Sequence, residues 1–241
     1  MEKADRQRLN AQPAYVLHSY PYRETSLVAE VFSRHHGRLA LVARGARRPR
    51  SPVRGQLLAF QPLQLSWFGK NALRTLHQAE WVGGLTPPQG MGLICGFYLN
   101  ELLLKLLPRD DPHEQLFLHY QETLHALGQS CDYTAILRRF EQRLLKELGY
   151  GLQLTHDARS GEPIQPHRHY DYVIERGPVM SGDRAEGVQL LGSTLLDMAR
   201  DDYRAPVTQQ QSKMLMRILI NHYLADQPLH TRQLLKELHA L

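Results

Sequence analysis

Five arginines, Arg44, Arg47, Arg48, Arg50 and Arg54, fall within eleven residues that hold no carboxylate, and Gly45, Pro49 and Pro52 keep that stretch out of regular structure. Guanidinium groups on an irregular segment can spread over successive phosphates, which they match in planar, often bidentate geometry. Contacts of this kind neutralise a nucleic-acid backbone without reading its bases, so affinity comes from charge and counterion release. Arg34, Arg38, Lys70 and Arg74 stand near the turns or ends of neighbouring apolar bursts and are expected to extend the same surface. An ordinary basic run is a solvated loop. Two features point instead to a polyanion: the run is all arginine, and residues 1–82 carry 13 Lys and Arg against 5 Asp and Glu, a net +8. Bases could stack on Tyr20, Tyr22 or Phe68; Trp67 reads rather as core.

A second basic group, Arg138, Arg139, Arg143 and Lys146, flanks the apolar stripe of a helical stretch and would suit an acidic peptide with a hydrophobic end. The bland alternative is an amphipathic helix whose long basic stems cover the edge of a bundle. Thirteen histidines invite a metal or acid/base reading, above all His35-His36, His156-Asp157 and the pair His167 and His169. None has convincing ligand spacing, so no metal and no cofactor are expected. The chain has no Walker-type glycine loop, no Gly-x-Ser-x-Gly elbow and no Cys/His nucleophile pattern, so we expect a protein that is not an enzyme.

The elements that must position these groups change character along the chain. Apolar bursts at 14–20, 25–32, 38–43, 57–67 and 73–82, separated by polar turns and no helix, predict a five-stranded antiparallel barrel or sandwich. Thr86-Pro87-Pro88-Gln89-Gly90 can neither continue a strand nor sit inside a helix, which sets a domain over 1–83, a linker over 84–90 and a helical domain over 91–241. Within the latter, helices are predicted over 93–107, 112–127, 187–201, 207–225 and 229–239. The clearest is capped by Asp132, carries Ile136, Leu137, Phe140, Leu144, Leu145 and Leu148 at helical spacing, and stops at Gly149. Residues 150–186 form an irregular insertion with a hairpin through Tyr170, Tyr172 and Ile174. The fold class is therefore α+β.

From residue 83 onward 16 Lys and Arg face 19 Asp and Glu, so the basic character belongs to the first third alone. Cys95 and Cys131 are read as buried thiols rather than a disulfide pair. The longest apolar run, 93–107, is shorter than the roughly 20 residues of a membrane span. The charged opening has no apolar h-region, and a cytoplasmic protein is expected.

Tyr15-Val16-Leu17-His18-Ser19-Tyr20, then Tyr22-Arg23-Glu24-Thr25-Ser26-Leu27, Gly37-Arg38 and Ala43-Arg44-Gly45-Ala46-Arg47 closely resemble the opening of the RecO recombination mediators. Arg138-Arg139-Phe140-Glu141 running to Leu148-Gly149-Tyr150-Gly151, and Ser160-Gly161-Glu162-Pro163, are spaced as that family spaces them. The resemblance implies an N-terminal OB fold and a helical C-terminal domain with a zinc-ribbon-like insertion. It also implies binding of single- and double-stranded DNA, annealing of complementary strands, contact with the acidic tail of single-strand-binding protein, and work with RecR in loading RecA. Many members hold zinc with two cysteine pairs; those places are filled here by Asp157, Ser160, Met180 and Asp183. A metal-free insertion held by packing around Tyr170, Tyr172 and Ile174 is expected. The competing readings are an RNA-binding OB protein and a metal-dependent nuclease using the His and Asp residues of 156–183.

Overall fold

The structure, a computed structural model, describes residues 8–130, 132–182, 187–225 and 227–239. Cys131 and Asp183, named above, lie outside the described residues. By its internal contacts the chain forms two units, Met1–Ser130 with Leu229–Leu241, and Cys131–Pro228.

The first unit is built on a closed barrel of β1 (Arg8–Tyr22), β2 (Ser26–Ser33), β3 (Gly37–Ala43), β4 (Leu63–Phe68) and β5 (Leu73–Trp81). The strands are ordered β1-β2-β3-β5-β4. All pairings are antiparallel except β3 with β5, where Ala40, Leu41 and Val42 lie beside Leu73, Arg74 and Thr75. β1 closes the barrel because its fifteen residues serve two edges, pairing with β4 through 8–14 and with β2 through 14–22. Register shifts between Leu9 and Gln12 and between Val16 and His18 supply the bend. Ala11, at φ 47°, donates its N–H to Ser66 Oγ at 3.0 Å inside the first irregularity.

Alternate residues fill the barrel: Ala14, Val16, Ala29, Val31, Leu39, Leu41, Leu63, Leu65 and Trp67 are buried together, with Ala46 and Leu57 completing the cluster. The predicted fourth strand over 57–67 is shortened at its start. Val53 carbonyl accepts from Leu57 N–H at the end of a five-residue helix, α1 (Pro52–Gln56), and Phe60 turns the chain at φ +66°. The sequence reading missed α1, which has Pro52 in its first turn and no apolar period.

β1 and β2 are buried on their outer faces as well. Tyr15 and Phe32 are both almost wholly buried and meet Phe117 and Tyr120 at ring-centroid distances of 5.2–6.2 Å. Phe117 and Tyr120 come from α3 (Glu114–Gln129), which packs beside α2 (Gly90–Leu106). In α2, Asn100 Nδ2 donates to the Leu17 carbonyl at 2.8 Å and Asn100 Oδ1 accepts from Tyr120 OH at 2.5 Å, so the polar group inside this apolar layer is satisfied. Gly96 lets α2 approach: a Cβ there would stand 2.9 Å from the Phe60 ring. The compact unit therefore reaches past the 84–90 segment where composition changes, because the barrel's outer apolar face is covered by the next two helices.

The last helix, α7 (His230–His239), returns to this unit and packs on α2. Glu101 of α2 takes the place of an N-cap: Oε1 accepts from His230 N–H at 2.8 Å, and Oε2 from Thr231 N–H at 3.0 Å and Thr231 Oγ1 at 2.7 Å.

The second unit joins α4 (Tyr133–Glu147), α5 (Gly192–Ala199) and α6 (Pro206–Tyr223) to a three-stranded antiparallel sheet. Asp132 Oδ1 caps α4 by accepting from Ala135 N–H at 3.3 Å, and Gly149 beyond its end has φ +86°. The predicted hairpin is β6 (His169–Val173) with β7 (Gly177–Met180). A further strand, β8 (Val188–Leu191), pairs antiparallel with β6 where the sequence suggested the start of a helix. Tyr170, Tyr172, Leu190, Leu195, Leu215 and Leu219 share one core.

Burial pulls the Glu101 carboxyl up, but the N–H and hydroxyl of Thr231, the N–H of His230 and the Lys105 ammonium together outweigh it and hold it below the usual carboxylate range. A carboxyl with a depressed folded value stabilises fully above its unfolded value, and the gain disappears as pH falls through the folded one. Glu101→Ala should cost about 2 kcal/mol and raise amide exchange across 230–234. That cost should shrink as the pH is taken below about 4; an equal cost at pH 7 and pH 3 would contradict the capping role.

Candidate nucleic-acid interface

Strand direction sorts the expected basic residues onto two ends of the barrel. The β1–β2 turn and the segment after β3 share one end, since Ala43 pairs with Leu27 and Tyr22 with Ser26. The β2–β3 and β4–β5 turns share the other, since Gly37 pairs with Ser33 and Phe68 with Thr75. Seven residues of β3 separate the ends by about 20 Å.

At the first end the Arg44–Arg54 segment is anchored by its backbone. Ala46 is fully buried, Arg47 N–H donates to the Thr25 carbonyl at 2.9 Å, Arg48 N–H to Gly45 at 3.1 Å and Ser51 N–H to Arg48 at 3.0 Å. Gly45 sits at φ +69°. Arg44, Arg47, Arg48, Arg50 and Arg54 are all exposed, and among the described residues none of them forms an ion pair. Arg47 Nη1 instead lies 3.3 Å from the carbonyls of Arg23 and Glu24, drawing the β1–β2 turn alongside. Arg23, with its guanidinium 5.3 Å from the Tyr22 ring centre, thereby joins this surface. Sequence reasoning did not single out Arg23 as a DNA contact; only the pairing of β1 with β2 places it here. Tyr20 is exposed nearby on β1.

The other end is different. Arg38 is mostly buried, donates from Nε to the Leu107 carbonyl at 3.0 Å, and lies 3.3 Å from Glu30 Oε2. Burial lowers its pKa below the usual guanidinium range, against the pull of Glu30. Arg109 binds the other oxygen of Glu30. Arg74 pairs with Asp110 at 2.6 Å and Arg34 with Glu114 at 3.4 Å. His35 Nδ1, 3.1 Å from Glu114 Oε1, together with Arg34 holds that carboxyl below its ordinary range. Arg34, Arg38 and Arg74 thus serve contacts between the barrel and the segment from Leu107 to Glu114, because each finds a carboxylate of the chain itself. Gly37 marks the closeness of that contact, since a Cβ there would stand 2.0 Å from the Asp111 carbonyl oxygen. Lys70 alone of this group is exposed, in the β4–β5 turn. Arg8 lies over Phe68 at 5.7 Å, and Trp67 is wholly buried in the barrel.

On α4 the second basic group also divides. Arg138 is buried and binds Glu141 Oε1 at 2.5 Å. Arg139 bonds Asp201 through Oδ1 at 3.0 Å and its carbonyl at 3.1 Å. Arg139, Gln142, Arg143 and Lys146 form one wall of a groove of about 490 Å³ whose apolar lining includes Leu152 and Met198.

Of the four places in the insertion that the family's cysteines would fill, Asp157, Ser160 and Met180 are described. Asp157 Oδ1 accepts from Arg159 N–H and Ser160 N–H at 2.7 and 2.8 Å, and Oδ2 from Met180 N–H at 2.7 Å. Both oxygens are thus engaged. Ser160 and Met180 add a hydroxyl and a thioether where zinc prefers thiolate and imidazole. Among the described residues no group of three or more His, Cys, Asp or Glu could hold a metal. No helix of the described residues is long and apolar enough to cross a membrane.

Two family models match the chain: Recombination protein O N terminal over residues 8–85 and Recombination protein O C terminal over 89–233. A protein of Nitrosospira multiformis named DNA repair protein RecO is 62% identical over 239 residues, covering 98% of this chain and 99% of the relative. Proteins of the same name from Azoarcus sp. and Aromatoleum aromaticum are 53% and 52% identical, again over nearly the whole of both chains.

Glu30 is the counter-charge of two guanidinium groups, one of them buried. Glu30→Gln should lower unfolding free energy by about 3 kcal/mol in chemical denaturation. A loss under about 0.5 kcal/mol would mean that these pairs are screened surface contacts.

Proposed function

Because the chain belongs to the RecO family of DNA repair proteins, with a recombination-repair role, we propose that it is a recombination mediator that grips DNA through the arginine-lined end of its barrel. The observation that carries this reading is the set of five exposed arginines, Arg44, Arg47, Arg48, Arg50 and Arg54, without a carboxylate partner among the described residues, on a segment whose backbone is tied to the barrel. A fixed backbone presents the cations together, while their flexible stems let them follow phosphates of either single or double strand. Arg23 and Tyr20 extend the surface; Arg34, Arg38 and Arg74 are left out of it because their charges are already matched. Lys70 stands at the opposite end of the barrel and would meet only DNA that passes along its wall.

Sequence-independent neutralisation also accounts for annealing, since two strands that each shed charge on one protein repel each other less. In this role the protein would act with RecR to load RecA on DNA coated by single-strand-binding protein. The groove beside α4 fits the acidic, Phe-ended tail of that protein: Arg143 and Lys146 meet carboxylates while Leu152 and Met198 receive the ring. Arg139, already bonded to Asp201, shapes the wall, and Arg138 supports α4 from within. An RNA-binding OB protein would use the same barrel surface, and competition between matched RNA and DNA strands separates the two. A nuclease reading loses Asp157, whose oxygens are taken by backbone N–H groups.

Replacing Arg44, Arg47, Arg48 and Arg50 by Glu should weaken binding to unrelated oligonucleotides alike, by about 100-fold or more at low salt, and reduce the slope of log affinity against log salt by about one unit for each phosphate no longer neutralised. Fluorescence anisotropy measures both, and unchanged affinity would remove this segment from the interface. Arg143→Glu with Lys146→Glu should abolish binding of an acidic peptide ending in Phe while leaving oligonucleotide binding intact; retention of the peptide would exclude the groove.

A further inference from the structure

The insertion of the second unit holds the turn at 157–161 against the end of β7. We propose that Asp157 is the cross-link: one buried carboxylate joins the turn at 157–161 to the end of β7 at Met180 and does in this chain what a bound zinc does in a ribbon-type insertion.

Asp157 is 4% exposed, among the most buried carboxylates of the described residues. Its Oδ1 closes its own turn through the N–H groups of Arg159 and Ser160, and its Oδ2 reaches twenty-three residues along the chain to Met180 N–H. The surrounding backbone is ordered around it. Asp157 N–H donates to the Glu162 carbonyl at 2.8 Å, Gly161 N–H to the Asp157 carbonyl at 2.8 Å, and Ala158 N–H to the Pro178 carbonyl at 2.7 Å. Backbone N–H groups that converge from a turn and a strand end make a concave site for negative charge, and here the charge is supplied from inside by a side chain. No Lys or Arg forms an ion pair with it among the described residues. Burial pulls the carboxyl up, but the N–H groups of Ser160, Met180 and Arg159, with the Ser160 hydroxyl, outweigh it and hold it below the usual carboxylate range. Its three backbone partners belong to two of the positions, Ser160 and Met180, where the family's cysteine pairs would stand, and to Arg159, which precedes Ser160. A carboxylate accepts in several directions at once and can therefore link separate backbone segments; a carboxamide cannot, because one of its two ends donates.

The consequence is an insertion whose fold is indifferent to zinc, chelators and thiol oxidants. It rests on the geometry of this unit and not on the DNA-binding reading. The test is residue-resolved amide exchange on the full chain. In Asp157→Asn, exchange at Met180, or at Arg159 and Ser160, should rise at least tenfold, because the amide presents N–H to N–H at one end. Ile164, which donates to the Thr155 carbonyl at 2.9 Å, should change by less than threefold. Asp157→Glu, which keeps the charge but displaces the oxygens, should fall between wild type and Asn. In the wild-type protein, protection of the three amides should persist in excess chelator and gain nothing from added zinc. Unchanged Met180, Arg159 and Ser160 exchange in Asp157→Asn would overturn the proposal. If that variant does not fold, loss of wild-type protection on chelation, or stoichiometric zinc binding that raises the melting temperature, overturns it equally.

Discussion

A five-stranded barrel closes only if its first strand lies against two neighbours, and here β1 meets that demand by bending at two register shifts. Everything else in the first unit follows from that closure. It gathers the turns at the two ends, buries Trp67 and its neighbours inside, and leaves Tyr15 and Phe32 as an apolar outer face that α2 and α3 must cover. Asn100 and Tyr120 can lie in that layer only because each satisfies the other and Leu17.

The two barrel ends show how one residue type divides between structure and function. At one, guanidinium groups are matched by Glu30, Asp110 and Glu114, and with the Arg109–Glu30 pair they fasten the barrel to the stretch from Leu107 to the start of α3. At the other, arginines of the same chemistry are held by their backbones while their charges face solvent. The difference lies in which carboxylates are near, not in the arginines themselves. A charged side chain bound to its own chain offers little to a partner, whereas an unmatched one retains its full attraction for a polyanion.

Much of this was legible in the sequence. Alternating apolar bursts separated by turn residues marked the strands, and the change at 86–90 marked where strands give way to helices. Asp132 and Gly149 bracketed α4 to within a residue. Other features depended on contacts with no local signature. Arg38 reads like Arg44 until Glu30, across the β2–β3 pairing, is seen beside it. The apolar Leu57 and Phe60 looked like strand but bury without pairing in β4, and β8 is four residues whose only reason to extend is the free edge of β6. Asp157 stood out only beside His156 and as a replacement for a cysteine, and its bond to Met180 had no local signature because that partner lies far along the chain.

The bond from Glu101 to Thr231 joins residues 130 apart, and it orders events during synthesis. Closing so long a loop costs conformational entropy, and contacts of that range form late. The barrel, α2 and α3 leave the ribosome well before α7 exists, so for that interval the buried carboxylate of Glu101 stands at an open seam of a nearly finished unit. The second unit must be translated in full before the first can be sealed.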